Sequence, residues 1–191
     1  MKDLTDKSFK GLRRISLYDT EQVRTIIEKI SNNIAAKYID REPIALIGIL
    51  RRGVPLANLI NTSLEKLIYA PKHILRINLD VKRYADDLSL IHSDTLLTLD
   101  PLIEAMNLEA YHLIIVDDVF YSGHSAFKVI QFLKTKNPKS ISLACLVDRV
   151  CNMLPIRPDF IGVSLQVSNQ SIIECNIPPY EPTLKIDITF V

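Results

Sequence analysis

Hydrophobic residues recur along the chain in two patterns, one typical of buried strands and one typical of amphipathic helices. Short, nearly continuous apolar runs indicate strands that are covered on both faces of a parallel sheet. These runs span residues 44–48, 74–79, 112–116 and 140–147. Apolar residues at helical spacing indicate helices that bury one face. These segments span residues 16–38, 56–67 and 126–134.

The order of these elements predicts the fold class. Because strands alternate with helices, the favoured architecture is an α/β fold with a doubly wound, mainly parallel sheet flanked by helices. The crossover connections are expected to be right-handed. In such sheets the loops at the carboxyl ends of the strands form the ligand site.

Four segments fall outside this alternation. Residues 1–16 are polar and are expected to form an N-terminal extension, with residues 17–191 forming a single domain. Residues 80–109 carry few strong signals, and so long a connection beside a ligand site favours a flexible lid. Residues 150–177 contain short apolar pieces broken by prolines and are expected to form a small hood above the strand ends. Residues 184–191 alternate in polarity, which predicts a strand at a sheet edge.

Composition and charge exclude several classes of protein. The 191 residues include 23 basic and 22 acidic side chains, so no overall field favours nucleic acid or an anionic membrane. The polar N-terminus is unlike a signal peptide and no apolar run is as long as a membrane span, so no membrane partner is expected. The three cysteines lack C-x-x-C spacing, which argues against a disulfide framework or zinc site and favours a cytoplasmic location.

The most informative stretch is the apolar run at 112–116 and the loop that follows it. Asp117 and Asp118 come directly after the run, and residues 121–125 (YSGHS) then lead into the next helix. Adjacent carboxylates at the end of a buried strand repel each other, so hydroxyl groups or a cation are expected to bind them. The small-residue loop and the helix N-terminus direct N–H groups at one place, which suits a phosphate. Solvated acids before an ordinary turn are the alternative interpretation.

A second loop at the same sheet edge is basic. Arg51, Arg52 and Gly53 follow the strand at 44–48 after two residues, and Pro55 fits the first turn of the next helix. Guanidinium groups match pairs of phosphate oxygens through forked N–H donors, so this loop is a candidate clamp for a diphosphate. A solvated basic turn is the alternative, and the acidic motif at the same edge makes it less favoured.

The acidic motif resembles the phosphoribosyl diphosphate (PRPP) motif of type I phosphoribosyltransferases: an apolar strand, two acids, two bulky residues, then a hydroxyl residue and glycine. The basic loop is similar to the pyrophosphate loop of these enzymes, and its G-I-x-x-R-G is the form found in the PyrR family of pyrimidine-operon regulators and uracil phosphoribosyltransferases. The run from 146 to 162, L-V-D-R-x-x-x-x-L-P-I-R-x-D-F-I-G, also resembles PyrR, and the similarity covers about 18–177. The family's non-proline cis peptide would lie at Leu50–Arg51.

The resemblance implies a phosphoribosyltransferase fold and activity, with Mg²⁺ as cofactor and with PRPP and a nucleobase as substrates. The implied catalytic residues are Asp117, Asp118 and Arg149, in which the two acids hold the ribose hydroxyls and are candidate ligands of substrate-bound Mg²⁺. The residues implied for the 5-phosphate are Tyr121, Ser122, Gly123, His124 and Ser125. The residues implied for pyrophosphate are Arg51, Arg52 and Gly53. Family members are commonly homo-oligomers, dimers or larger.

The chain departs from the PyrR pattern at three places. Its lid signature, Y-R-D-D-L-S in the family, has Ala85 in place of the arginine. The matching lid residues are Tyr84, Asp86 and Asp87. The family's G-H-R is Val150-Cys151-Asn152 here, and its P-T-S is Q-V-S at 166–168. The first two changes remove cations, and the third alters the wall of the base pocket.

One residue bears on which base is used. In enzymes for 6-oxopurines the third residue after the acid pair is typically aspartate, and this chain has Tyr121 there. The difference favours uracil, whose ring N1–H is acidic enough to need less help, with UMP and pyrophosphate as products in pyrimidine salvage. A 6-oxopurine is the alternative substrate.

Two further functions stay open at this point. One is an RNA-binding regulator, since some PyrR proteins bind leader RNA through a basic face that includes the N-terminal helix. The matching face around Glu28, Lys29 and Asn32 has one cation, which makes RNA a less favoured partner. The other is a non-catalytic protein that binds only PRPP or a nucleotide, which Ala85 and the altered hood would suit.

Overall fold

The computed structural model describes residues 13–38, 42–67, 74–82, 96–98, 101–168 and 170–190. These residues form nine strands and four helices. In chain order they are β1 (Arg13–Tyr18), α1 (Thr20–Lys37), β2 (Ile44–Ile49), α2 (Gly53–Glu65), β3 (Ile74–Lys82), β4 (Leu96–Thr98), α3 (Pro101–Ala105), β5 (His112–Phe120), α4 (His124–Lys134), β6 (Ser140–Asp148), β7 (Phe160–Ser164), β8 (Ile172–Asn176) and β9 (Lys185–Phe190).

Six strands form the main sheet, in the order β4-β3-β2-β5-β6-β7. Five of these strands run parallel, namely β3, β2, β5, β6 and β7. The sixth strand, β4, pairs antiparallel with β3 at one edge. All six residues of β2 are buried, as expected for a central strand with helices on both faces. The predicted α/β fold with a mainly parallel sheet is confirmed.

The strands divide their side chains between two apolar layers. Leu46 and Ile114 belong to the layer that includes the buried faces of α1 and α2. Ile47 and Ile115 belong to the opposite layer, which includes the buried face of α4. Successive side chains point to opposite faces of a strand, so each continuous apolar run supplies both layers.

The remaining three strands form a separate antiparallel sheet in the order β1-β9-β8. Ile173, Ile186 and Ile188 belong to the same apolar layer as α1, so this sheet lies on the α1 side of the molecule. The buried carboxylate of Asp187 in β9 receives ion pairs of 2.7 Å from Arg14 in β1 and 2.8 Å from Lys185. The strand predicted at 184–191 is confirmed as β9, but β9 lies between β1 and β8, so its predicted place at a sheet edge is wrong.

The start of the first helix also differs from the prediction. Asp19 caps α1, because its carboxylate accepts a 2.9 Å hydrogen bond from the backbone N–H of Gln22, whose side chain accepts one from Asp19 N–H. Residues 16–18, predicted as the start of the helix, belong to β1, and so do residues 13–15 of the predicted 1–16 extension. Residues 1–12 lie outside the described residues.

The predicted hood and lid are only partly described. Within 150–177, β7 is a parallel strand of the main sheet, and β8 belongs to the second sheet with β1 and β9. That this segment forms a hood stays a prediction. Within 80–109, β4 and α3 are described, whereas the lid residues Tyr84, Asp86 and Asp87 lie outside the described residues.

None of the described helices has the length and apolar character that a membrane span needs.

We expect Gly162→Ala to lower the free energy of unfolding by about 2 kcal/mol. A β-carbon on Gly162 in β7 would overlap the carbonyl oxygen of Leu146 and lie 2.6 Å from Cγ2 of Ile26 in α1. Urea denaturation measures the change, with exposed Ser164→Ala on the same strand as the control, expected within about 0.5 kcal/mol of wild type. Equal stability of the two variants would contradict the close approach of α1 to β7.

Candidate active site

Asp117 and Asp118 lie near the carboxyl end of β5, directly after the continuous buried run at 113–116, and both are half-buried. The backbone N–H of Asp118 donates a 3.0 Å hydrogen bond to Oδ1 of Asp117. Burial raises the pKa of Asp117 well above its ordinary value, and repulsion from Asp118 adds to the effect. Burial also raises the pKa of Asp118, although the nearby Arg52 guanidinium opposes that shift. The two acids therefore form a compact anionic site whose charge is only partly compensated.

The loop after the acid pair turns into α4 at Gly123. Gly123 has φ of +85°, a left-handed conformation that favours glycine, and it immediately precedes the first residue of the helix. Ser122 is buried, and its hydroxyl lies 2.8 Å from Nδ1 of His124. The first N–H groups of α4 have no partners within the helix, so this end of α4 is suited to an anion.

The basic loop lies next to the acid pair because β2 and β5 are neighbours in the sheet. The Leu50–Arg51 peptide is cis, as the family resemblance predicts. A β-carbon on Gly53 would overlap the carbonyl oxygen of Val116 and lie 3.4 Å from Cα of Asp117. The α2 N-terminus can therefore approach β5 this closely only because residue 53 is glycine.

The two arginines of this loop contact the turn between β8 and β9. The guanidinium of Arg51 lies 5.0 Å from the ring centroid of Tyr180, within cation–π range. Arg52 forms a 2.6 Å ion pair with Glu181. Sequence reasoning missed both partners, because the run I-P-P-Y-E-P carries a turn signal and no sign of what the turn contacts.

Arg149 follows β6 and is buried, with 6% of its surface exposed. Its Nη2 donates a 3.0 Å hydrogen bond to the carbonyl oxygen of Ser168, and its guanidinium lies 4.6 Å from the ring centroid of Tyr121. Its buried Nε has no hydrogen-bond partner among the described residues. Arg149 therefore links the loops after β5 and β6 and retains an unused donor.

These elements enclose a cleft of about 510 Å³ at the carboxyl edge of the main sheet. The predicted residues that line it are Arg52, Asp117, Asp118, Tyr121, Ser122, Gly123, Ser125 and Arg149. Three other predicted residues are not among those that line the cleft. Arg51 lies against the ring of Tyr180, Gly53 contacts β5, and His124 contacts Ser122. The cleft is also lined by Ser171, Ile172 and Ile173, which sequence reasoning did not single out because their short apolar stretch carries no motif.

Comparisons with known proteins agree with this arrangement. Residues 15–178 match the model of the phosphoribosyl transferase domain family. The chain is 35% identical over 176 residues to the bifunctional protein PyrR of Clostridium perfringens, which covers 92% of this chain and 97% of that one. PyrR of Clostridium kluyveri is 34% identical over 163 residues, 84% of this chain and 89% of the relative.

Solved structures show the same fold at lower sequence identity. The hypoxanthine phosphoribosyl transferase of Trypanosoma cruzi superposes with a TM-score of 0.72 at 17% identity, covering 95% of this chain and 93% of that one. A hypoxanthine phosphoribosyltransferase from Staphylococcus aureus superposes with a TM-score of 0.67 at 14% identity, covering 89% and 86%. At these identities the likeness shows the fold alone.

The raised pKa of Asp117 predicts how stability depends on pH. Between its ordinary pKa and the raised native one, the native state binds more protons than the unfolded state, so the free energy of unfolding falls as the pH rises through that window. Asp117→Asn removes the buried charge. We therefore expect this variant to be more stable than wild type at pH 7 and to lose less stability between pH 5 and pH 8 in urea denaturation.

Asp187→Asn is the matched control, with the opposite sign. Burial raises the pKa of Asp187, but hydrogen bonds from Lys185, Ser16 and Arg14 outweigh it and lower the pKa below its ordinary value. This carboxylate therefore stabilises the fold above its unfolded pKa, and Asp187→Asn is expected to destabilise the protein at pH 7. A loss of stability for Asp117→Asn that matched the Asp187→Asn loss would contradict the electrostatic difference between the two sites.

Proposed function

Because the chain belongs to the phosphoribosyltransferase family, we propose that it transfers ribose 5-phosphate from PRPP to a nucleobase, with uracil as the base. The observation that carries the proposal is the convergence of three features on one cleft. The acid pair, the glycine turn at the start of α4, and Arg52 all line it. They offer acceptors for hydroxyl groups, N–H donors for a phosphate, and a forked cation for a diphosphate.

The proposed reaction exchanges one bond at the anomeric carbon of the ribose for another. The C1–O bond to pyrophosphate breaks and its electron pair leaves with pyrophosphate. A bond forms between C1 and N1 of uracil, whose N1 proton is released, and the products are UMP and pyrophosphate. Positive charge develops on the ribose ring and negative charge on the leaving group, so catalysis depends on positioning and electrostatics.

Each part of the cleft has a role in this proposal. Asp117 and Asp118 accept hydrogen bonds from the ribose hydroxyls and place negative charge beside the developing cation. The loop of residues 121–125 holds the 5-phosphate against the N-terminus of α4. Arg52 contacts pyrophosphate, with Arg51 and Gly53 shaping the same loop. Arg149, whose guanidinium lies over the Tyr121 ring, contacts the base or pyrophosphate.

The residues present fit a magnesium ion bound together with the substrate. The pKa values of Asp117 and Asp118 are raised by burial, so a cation nearby would relieve an uncompensated charge. Magnesium commonly uses one or two carboxylates together with substrate phosphates. When bound, Mg²⁺ would neutralise charge on the leaving pyrophosphate. No group of three acidic, His or Cys side chains suited to a metal occurs in the described part of the chain.

Uracil is the proposed base on two grounds. Tyr121 stands where the 6-oxopurine enzymes typically have an aspartate, so that position supplies no carboxylate to assist a purine base. The guanidinium of Arg149 lies over the Tyr121 ring. The relatives named above are PyrR proteins. The PyrR family that the sequence motifs resemble includes uracil phosphoribosyltransferases. A 6-oxopurine is the alternative, since the enzymes of the two solved structures are named hypoxanthine phosphoribosyltransferases.

A panel of bases tests this proposal directly. We expect PRPP with Mg²⁺ to yield a nucleotide from uracil and not from hypoxanthine, guanine, xanthine or orotate, each assayed separately by chromatography. Asp117→Asn and Asp118→Asn should each lower kcat at least about 100-fold, because each removes charge stabilisation from the transition state. The control is Asp159→Asn. Asp159 directly precedes β7, at the amino ends of the parallel strands and away from the cleft, so this variant should retain activity.

Two outcomes would contradict the proposal in different ways. Turnover of hypoxanthine or guanine rather than uracil would assign the cleft to a purine base. Unchanged kcat in both acid-pair variants would remove the acid pair from the mechanism.

RNA regulation is a second activity that the bifunctional relatives raise, and the outer face of α1 bears on it. The ammonium of Lys29 donates a 3.0 Å hydrogen bond to the carbonyl oxygen of Gly162. Lys37 forms a 3.1 Å ion pair with Asp159. These two cations are engaged within the protein, and Arg24, the third cation of α1, lies 3.9 Å from Glu21, so the helix offers few free cations to a phosphate backbone.

We therefore expect weak binding to a pyrimidine-operon leader RNA, with an affinity no tighter than that for an unrelated RNA of equal length. Filter binding at 50 and 200 mM salt measures both affinities. Tight binding to the leader RNA alone, increased by a uridine nucleotide, would establish the regulatory function instead.

A further inference from the structure

The turn that joins β8 to β9 contacts the basic loop through two consecutive side chains. Tyr180 lies against the guanidinium of Arg51, and Glu181 pairs with Arg52. The turn belongs to the three-stranded sheet, whereas the basic loop belongs to the main sheet. The contact therefore connects the smaller sheet to the cleft.

Glu181 is held at both carboxylate oxygens. Its Oε1 accepts hydrogen bonds from Nε and Nη2 of Arg52 at 3.0 and 2.6 Å, and its Oε2 accepts one from the backbone N–H of Ile177 at 2.9 Å. Its own backbone N–H donates to the carbonyl oxygen of Ile177 at 3.3 Å. Burial opposes ionisation, but these donors hold the pKa of Glu181 below its ordinary value. Glu181 is thus a fixed anion.

The contact leaves part of the Arg52 guanidinium facing the cleft. A guanidinium has five N–H donors, and Glu181 takes two of them along the Nε edge. Arg52 lines the cleft together with Asp117 and Asp118 while it is paired in this way. Its side chain is 33% exposed and that of Glu181 is 17% exposed, so the pair is only partly shielded from solvent. Arg52 can meet a ligand without breaking the pair.

We propose that Glu181 is a positioning residue that fixes the Arg52 guanidinium toward the cleft, where it meets the diphosphate of the substrate. This inference rests on the proposed function. A free arginine side chain loses rotamer freedom when it binds a ligand, whereas one already held by Glu181 has lost that freedom on folding. The contact strengthens as charge develops on the leaving pyrophosphate, so the effect of fixed orientation falls mainly on kcat.

The test separates two opposite effects of Glu181. Positioning of Arg52 would raise kcat/KM, whereas a negative charge near the diphosphate would lower it. We expect Glu181→Gln to lower kcat/KM for PRPP about tenfold, mainly through kcat, because misplacement of a catalytic group has costs of this order. Glu181→Asp, which keeps the carboxylate on a shorter stem, should show a smaller loss. In an Arg52→Met background, Glu181→Gln should cause no further loss beyond about twofold.

Glu174→Gln is the matched control. Glu174 lies in β8 and forms a 2.6 Å ion pair with Arg14 of β1. The substitution therefore removes a glutamate–arginine pair from the same small sheet without changing a contact of the basic loop. This variant should keep kcat and KM within about twofold of wild type. Thermal melting of both variants reports any shared loss of stability.

Three results would overturn the inference. An increase of kcat/KM in Glu181→Gln would show that Glu181 competes with the substrate for Arg52. An unchanged value in an active enzyme would show that the pair is only structural. An equal loss in the presence and absence of Arg52 would show that Glu181 acts through another group. Wild-type protein that neither turns over PRPP nor binds it in calorimetry would instead refute the proposed function on which the inference rests.

Discussion

The close approach of the α2 N-terminus to the end of β5 is the constraint on which the candidate site depends. Gly53 contacts the backbone of Val116 and Asp117 at a distance that leaves no room for a β-carbon. This approach places the basic loop after β2 beside the acid pair after β5, since the two strands are neighbours in the sheet. A parallel sheet brings the carboxyl ends of its strands to one edge, and the missing β-carbon brings the opposite charges together there.

The acidic charges at this edge are only partly compensated by the fold. Asp117 and Asp118 lie side by side and are half-buried, and burial raises the pKa of both, as expected of charges that the fold compensates only in part. Arg52, the cation that opposes the raised pKa of Asp118, is itself paired with Glu181, which is ionised and held by a backbone N–H. The cleft therefore combines an acid pair that a cation and hydroxyl groups would relieve with an arginine whose orientation is already fixed. Perturbed groups gathered in one cleft are typical of functional sites.

Local sequence patterns predicted the parallel sheet and both strand–loop–helix units, because each motif lies within one unit. The family resemblance added the cis peptide at Leu50–Arg51, which the structure confirms. The pairing of β1 with β9 joins residues at opposite ends of the chain, and no local pattern encodes such a partner. Glu181 was missed for the same reason, since its role depends on a contact with Arg52, 129 residues away.

A crystal structure of the protein with PRPP and Mg²⁺ tests the central claim most directly, because it places every part of the substrate at once. The predicted result has the ribose hydroxyls on Asp117 and Asp118, and the 5-phosphate at the N–H groups of residues 121–125. The pyrophosphate group would contact Arg52, with the Glu181 pair intact. A substrate bound with its pyrophosphate group away from Arg52, or bound outside this cleft, would contradict the claim.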